Sequence, residues 1–270
     1  MKVGIVGIGN MGSKYIKKFD ILGFDAVLID KSQSQLSKYP DKHKKYTDIN
    51  EALKKENLDF LFIATDPKSH IPLAKKAIER GINVMVEKPP ALNPSQLEEA
   101  INMAKKKGVF LGVSEIELRS NSVRNLDVKE EIFEVEAYRL NLGRGYINPF
   151  YDLAWHDLYI LNYLFGDVSI KEVVDKGDIF EVKGETEKND FFLQVAWSHD
   201  FLRREWLLKT DKGNIILNFV EDKILYPTGK TVEKDETDKL ELMIKQFVEN
   251  PSFESSYRAL NILKEFNKFS

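Results

Sequence analysis

The chain has 270 residues, 43% of them hydrophobic and 17 of them Phe, a length that predicts two domains of roughly 100–150 residues each. A net charge of −3 offers nothing basic to nucleic acid or an anionic membrane surface, and no apolar run reaches the ~18 residues of a membrane span. With no cysteine there is no disulfide, thiolate nucleophile or Cys-ligated zinc, and the histidines at 43, 70, 156 and 199 lack paired ligand spacing, so no metal is expected.

Lys2–Val6 reads as a strand that opens the chain directly, with no signal peptide before it, which predicts a cytoplasmic protein. Gly7-Ile8-Gly9-Asn10-Met11-Gly12 follows, and Ser13–Leu22 reads as a helix with Tyr15, Ile16, Phe19 and Leu22 on one face. Strand, G-x-G-x-x-G and helix in that order form the context a dinucleotide fingerprint requires. Gly7 makes the tight turn, Gly9 lets the backbone approach a pyrophosphate, and Gly12 lets helix and strand pack closely. The helix N-terminus then presents unpaired N–H groups to the phosphates.

A second strand, Ala26–Ile29, ends in Asp30, eighteen residues past Gly12, where an acid accepts hydrogen bonds from a ribose. An acid there repels a 2′-phosphate and favours NAD. Lys31 and Ser32 leave NADP open.

Lys45–Thr47 reads as a short strand, Asp48–Lys55 as a capped helix and Asp59–Ile63 as a buried strand. Asp66-Pro67 carries the start signal of a helix running through Arg80, and N-capping is the preferred reading of Asp66. His70 is read equally as a cofactor contact or a residue of the first helical turn. Asn83–Glu87, a helix from Asn93-Pro94 through Lys107, and Phe110–Ser114 complete an alternation that predicts a doubly wound parallel sheet. Pro89-Pro90 halts the strand before it, which holds Lys88 at a strand's carboxyl end, where open α/β sheets place ligands.

Ala64-Thr65-Asp66-Pro67-Lys68-Ser69-His70, then Ala74, Ala77, Gly81, Val84 and Glu87-Lys88-Pro89, resembles the glucose–fructose oxidoreductase / inositol dehydrogenase superfamily. The resemblance covers the first half, and Val113–Asn121, with Arg119, is similar to the family's crossing into its second domain. It implies cofactor contacts from Gly7, Ile8, Gly9, Asn10, Met11, Gly12, Asp30, Lys31, Ala64, Thr65, His70, Glu87 and Lys88, with Lys88 between nicotinamide and substrate.

From Val128 the texture changes. Glu131–Leu142, Phe191–Trp197, Glu205–Thr210 and Asn214–Phe219 read as strands without intervening helices, hence an open, mostly antiparallel sheet in an α+β domain. The expected division is 1–125 and 126–270. Lys176–Asp190 is polar and reads as an exposed hairpin or loop. Glu233–Phe269 reads as two helices around Asn250-Pro251, the last one a candidate to pack back on the first domain. Phe191, Leu193, Val195 and Trp197 alternate with Phe192, Gln194, Ala196 and Ser198, and the mixed second face predicts a homo-oligomer through this sheet.

Tyr151–Tyr159 precedes Leu161, Leu164 and Phe165-Gly166-Asp167. On one helix Asp152 and His156 share a face, and a carboxylate orients an imidazole and favours its charged form. The segment resembles the family's second motif, Asp-x-Gly-x-His-Asp followed by an apolar helix. It departs from it at Ala154, where glycine is usual, and at Tyr159, where a second acid is frequent. The resemblance implies a catalytic trio of Lys88, Asp152 and His156, with His156 taking a hydroxyl proton and Lys88 stabilising the alkoxide. Arg144, Tyr146, Asn148 and Tyr151 are expected as pocket liners, or as an ordinary surface loop.

The implied activity is hydride transfer between a nicotinamide and a sugar, polyol or related small hydroxy compound. Reduction of a non-sugar such as a bilin, and a non-catalytic dinucleotide-sensing regulator, are the alternatives. An intact trio argues against the regulator.

Overall fold

The computed structural model describes residues 1–143, 145 and 147–269, so Arg144 and Tyr146 lie outside the described residues. Its Cα packing divides the chain into two units, Met1–Ser114 with Leu240–Leu263, and Glu115–Lys239 with Lys264–Ser270.

The first unit is built on a six-stranded parallel sheet of β1 (Lys2–Val6), β2 (Asp25–Ile29), β3 (Lys44–Tyr46), β4 (Phe60–Ile63), β5 (Asn83–Val86) and β6 (Leu111–Val113). The spatial order is β3-β2-β1-β4-β5-β6, the doubly wound dinucleotide order. The inner strands are nearly continuous apolar runs because helices cover both faces, and Phe60 through Ile63 are all buried, whereas the edge strand β3 carries Lys44 and Lys45.

The connecting helices are α1 (Asn10–Ile21), a short α2 (Gln33–Leu36), α3 (Ile49–Lys55), α4 (Pro67–Glu79) and α5 (Pro94–Lys107). α1 begins three residues earlier than the sequence suggests, since the glycine loop itself supplies the first turn. Asp66 caps α4 by accepting from the Lys68 N–H at 2.9 Å, as its start signal predicts. Gly108, in the left-handed region at φ +68°, ends α5. The Cα clustering places Leu240–Leu263 with this unit. There Phe247 lies against Phe60 and Phe62 and fills the space beside Gly112, while the Ser255 hydroxyl accepts from the Val113 N–H and the Ser256 hydroxyl donates to the Leu111 carbonyl at 2.5 Å.

The second unit carries an eight-stranded sheet of β7 (Ile132–Leu142), β8 (Ser169–Asp175), β9 (Ile179–Glu185), β10 (Asp190–Ala196), β11 (Ser198–Thr210), β12 (Gly213–Asn218), β13 (Lys223–Leu225) and β14 (Thr231–Val232). Its order is β14-β13-β12-β11-β7-β10-β9-β8, antiparallel throughout except where β10 lies parallel to β7. The polar stretch Lys176–Asp190 contains β9, whose Phe180 and Val182 are buried, so much of it is sheet interior and only its other face is polar. A short α6 (Asn121–Arg124), α7 (Pro149–Asp152) and α8 (Ala154–Phe165) belong to this unit, and α8 packs on β10. The chain closes with α9 (Lys239–Glu249) and α10 (Glu254–Phe266), the two helices expected around Asn250-Pro251. Among the described residues no helix is long and apolar enough to cross a membrane.

Candidate active site

In the first unit the fingerprint glycines each meet a specific steric demand. Gly7 sits at φ +83°, and a Cβ there would lie 2.6 Å from the Thr65 methyl and 2.7 Å from the Ala64 carbonyl. A Cβ on Gly12 would lie 1.9 Å from the Gly7 carbonyl oxygen. Gly9, by contrast, has nothing within 4 Å of its Cβ position and is the N-cap of α1 without any side-chain cap. The open approach above Gly9 and the uncapped first-turn N–H groups of Asn10, Met11 and Gly12 suit an anionic pyrophosphate.

Asp30 follows β2. One carboxylate oxygen accepts from the Ile8 N–H and the other from the Ser32 N–H, each at 2.8 Å. Two of its roughly four acceptor sites are thereby used, and the rest remain for ribose hydroxyls. A cavity of about 420 Å3 opens beside it, lined by Gly7, Asp30, Lys31, Thr47, Asp48, Thr65 and Ser69 among others, within the usual size of a ligand site. These residues fit NAD.

At the ends of β4 and β5, Tyr15 donates to Glu87 at 2.7 Å, tying α1 to the strand that delivers Lys88. Burial, reinforced by the Glu87 charge, pushes the Tyr15 phenol well above its ordinary ionisation range. His70 is buried, with Nδ1 3.0 Å from the Pro89 carbonyl and Nε2 3.0 Å from the Thr65 carbonyl. It fastens the turn after β4 to the segment after β5. Burial lowers its pKa against the opposing pull of the two carbonyls. Lys88 is half-buried and joins Pro89 through a cis peptide bond.

The second unit carries the other motif, with one correction. Asp152 and His156 are not on a single uninterrupted helix: α7 ends at Asp152, Leu153 intervenes, and α8 begins at Ala154. The His156 N–H bonds back three residues to the Leu153 carbonyl, at 3.1 Å, so the turn between the two is tighter than an α-helix. The Asn148 side chain accepts from the Phe150 N–H and Pro149 opens α7, giving this short helix its own start. Tyr151 donates to the Phe269 carbonyl and packs on Phe266.

His156 is held through Nδ1, 3.1 Å from the Tyr159 hydroxyl oxygen, which also accepts the Glu117 backbone N–H at 2.9 Å. Beneath this turn lies a buried ion pair. Asp157 accepts from Arg139 Nε at 2.8 Å, Arg139 Nη2 at 3.0 Å and the Trp206 indole N–H at 2.8 Å. Arg139 and Asp157 are 4% and 1% exposed, so every acceptor used is shielded from water. Burial opposes the Arg139 charge, and Asp157 more than offsets it, so the guanidinium titrates above its ordinary value.

Sequence reading passed over Arg139, although a charge at an inward position after Val135 and Ala137 was the available signal. Asp157 stands at the last position of the Asp-x-Gly-x-His-Asp pattern, and its role comes from the tertiary contacts alone. Among the described residues no cluster of three His, Asp or Glu side chains is placed to hold a metal.

Residues 1–115 match the oxidoreductase family with an NAD-binding Rossmann fold. A glycosyl hydrolase family 109 protein of Phocaeicola vulgatus is 29% identical over 175 residues, 57% of this chain but only 33% of that protein. Oxidoreductase P35 of Formosa agariphila is 25% identical over 276 residues, 85% of this chain and 83% of that one. The solved structure of UDP-N-acetylglucosamine 3-dehydrogenase from Acidithiobacillus ferrooxidans superposes with a TM-score of 0.89 at 18% identity, covering 99% of this chain and 96% of that chain, a likeness of fold.

Proposed function

We propose that this chain, whose residues 1–115 match the oxidoreductase family with an NAD-binding Rossmann fold, is an NAD-dependent dehydrogenase or reductase acting on a hydroxyl-bearing carbon of a sugar, polyol or sugar nucleotide. The observation that carries this reading is the glycine loop with Asp30 fixed on the Ile8 N–H, a ribose-accepting carboxylate beside an open helix N-terminus. The substrate class draws on the dehydrogenase from Acidithiobacillus ferrooxidans, whose name specifies a nucleotide sugar.

NAD, when bound, supplies the hydride acceptor, and its reduced form the donor, at the nicotinamide ring. Lys88, Asp152 and His156 are proposed to serve one substrate hydroxyl. A proton leaves the oxygen as hydride leaves the carbon, and the side chains stabilise the charge that develops between those events. Asp152 orients either His156 or a neighbouring substrate hydroxyl. The open face of the second sheet, bearing Glu134, Glu136, Tyr138 and Phe192, is proposed to pair with its copy in a homo-oligomer, which light scattering at micromolar concentration tests.

The decisive assay follows reduced-nicotinamide absorbance with both cofactors and a panel of aldoses, polyols, keto-sugars and nucleotide sugars. Lys88→Met and His156→Ala are expected to keep NAD affinity and each to lose about 10²–10⁴-fold in turnover. The double variant should lose much less than the product, because groups acting as a unit are non-additive. Tight NAD binding without turnover on any panel member would instead identify a dinucleotide sensor.

A further inference from the structure

Tyr159 stands three residues after His156 on α8, its ring edge-on to the imidazole at a centroid distance of 5.7 Å. Its hydroxyl oxygen has two hydrogen-bond contacts among the described residues: the Glu117 backbone N–H at 2.9 Å and His156 Nδ1 at 3.1 Å. A backbone N–H can only donate, so it occupies a lone pair of the phenol oxygen and offers nothing to the phenolic proton. Among the described residues that proton therefore has Nδ1 as its acceptor. Tyr159 is 1% exposed. Burial, with the nearby charges of Glu117 and Glu115, pushes its ionisation well above the ordinary tyrosine range despite the Glu117 N–H and Arg139, which pull the other way. The phenol keeps its proton at any working pH.

We infer that Tyr159 is a positioning residue: its hydroxyl donates to His156 Nδ1 and fixes the imidazole in the tautomer that carries its proton on Nε2. A carboxylate at that position would hold the opposite tautomer, because it accepts a hydrogen bond from Nδ1–H and stabilises the imidazolium. Here a protonated Nδ1 would itself donate to the phenol oxygen and leave the phenolic proton without an acceptor among the described residues. Arg139, the strongest nearby cation, is already engaged by Asp157 and does not take over this role.

The inference rests on the reading above that His156 serves the substrate hydroxyl, and it changes what His156 does there. A neutral ring with its proton on Nε2 donates to the substrate oxygen and cannot accept a proton through the same atom. NAD, where bound, would supply the hydride acceptor; the hydroxyl proton would then pass to the Lys88 side chain, and the carbonyl left behind would keep its hydrogen bond from Nε2. His156 thus acts as a fixed dipole on the developing oxyanion and Lys88 as the base.

The test is 15N NMR of protein labelled at its four histidines, without cofactor and with NAD, with His156 assigned by the signal missing from His156→Gln. In the unmodified protein the neutral ring is expected to show a bare Nδ1 and a protonated Nε2. Tyr159→Phe should yield a mixture of tautomers and a higher titration midpoint. A neutral ring protonated on Nδ1 would overturn the inference, as would a tautomer and midpoint untouched by Tyr159→Phe. The first readout needs no variant, so a Tyr159→Phe protein that fails to fold leaves the inference exposed to refutation.

In turnover, His156→Ala should lose about 10²–10³-fold, the usual loss of an oxyanion donor. His156→Gln, which keeps an N–H near the position of Nε2, should recover much of that. A Gln variant as slow as the Ala variant would return the base role to His156. Absence of turnover in the unmodified protein would refute the dehydrogenase reading while the tautomer is still read from the spectrum.

Discussion

The two sheets place their charges in opposite ways. In the parallel sheet the inner strands are apolar along their buried length, and the charged groups gather on the edge strand β3 and at the strand ends: Asp30 after β2 and Glu87 after β5, each engaged by an N–H or O–H of the adjoining loop or helix. In the antiparallel sheet one ion pair, Arg139 with Asp157, is buried beneath the helix that carries His156, and the opposite face bears solvated pairs such as Lys209 with Glu134 and Glu136. The difference follows from what covers each sheet. With helices on both faces, charge is tolerated only at edges, where ligands also bind. With one face open, most charge stays in water. The buried Arg139–Asp157 pair then orients α8, and removing either partner strands the other.

Five experiments break or sharpen this contrast. The largest effect is expected from Asp157→Asn, which leaves Arg139 buried without a counter-charge and should cost about 3–5 kcal/mol of stability by urea unfolding. A variant unfolding within 1 kcal/mol of the parent, a small value beside the ~3 kcal/mol floor for such pairs, would make the buried pair ornamental. Next is Gly12→Ala in the parallel sheet. Its methyl group would meet the Gly7 carbonyl, backbone that cannot swing aside, so a loss near the upper end of the ~1–3 kcal/mol overpacking range is expected, with NAD affinity falling in step.

Asp30→Ala removes a charged acceptor at the strand end. It should weaken NAD(H) binding by about 1.5–3 kcal/mol and narrow or reverse the preference over NADP(H), read by fluorescence titration of both reduced cofactors. A preference for NADP(H) in the unmodified protein would remove Asp30 from the ribose role.

The smallest effects compare a sheltered carboxylate with a solvated lysine. Burial disfavours the Glu56 charge, but hydrogen bonds from Lys2, Tyr46 and Lys44 outweigh it and hold its pKa at about 2, against an ordinary 4.5. A depressed carboxylate contributes stability above its unfolded pKa and loses it as pH falls through the folded one. Stability should therefore decline between pH 4.5 and about 2, and Glu56→Gln should flatten that decline. Lys209→Met, on the open face, should change stability by less than about 1 kcal/mol and by less still at high salt.

Much of the parallel sheet was legible because period and punctuation agree there. The apolar runs β1, β4 and β5, the glycines at 7, 9 and 12 and the Asp66-Pro67 start are local signals whose meaning depends on nearby residues alone. In the antiparallel half the long strands were visible by alternation, but β8, β13 and β14 were not. They are short or edge elements whose identity comes from pairing partners far along the chain.

The site divides along the same line. Sequence by itself determined which residues carry the nucleotide fingerprint, because a glycine that must clear a carbonyl or a methyl group can be named from strand–loop–helix order. It also singled out Asp152, His156 and the unusual Tyr159. Only the tertiary structure decided that the helix breaks at Leu153, that Asp157 turns inward to Arg139 and Trp206, and that the Tyr159 hydroxyl meets both Glu117 and His156. Those outcomes depend on which way a side chain faces across a sheet and on where one chain segment crosses another, and no spacing rule within a segment contains that information.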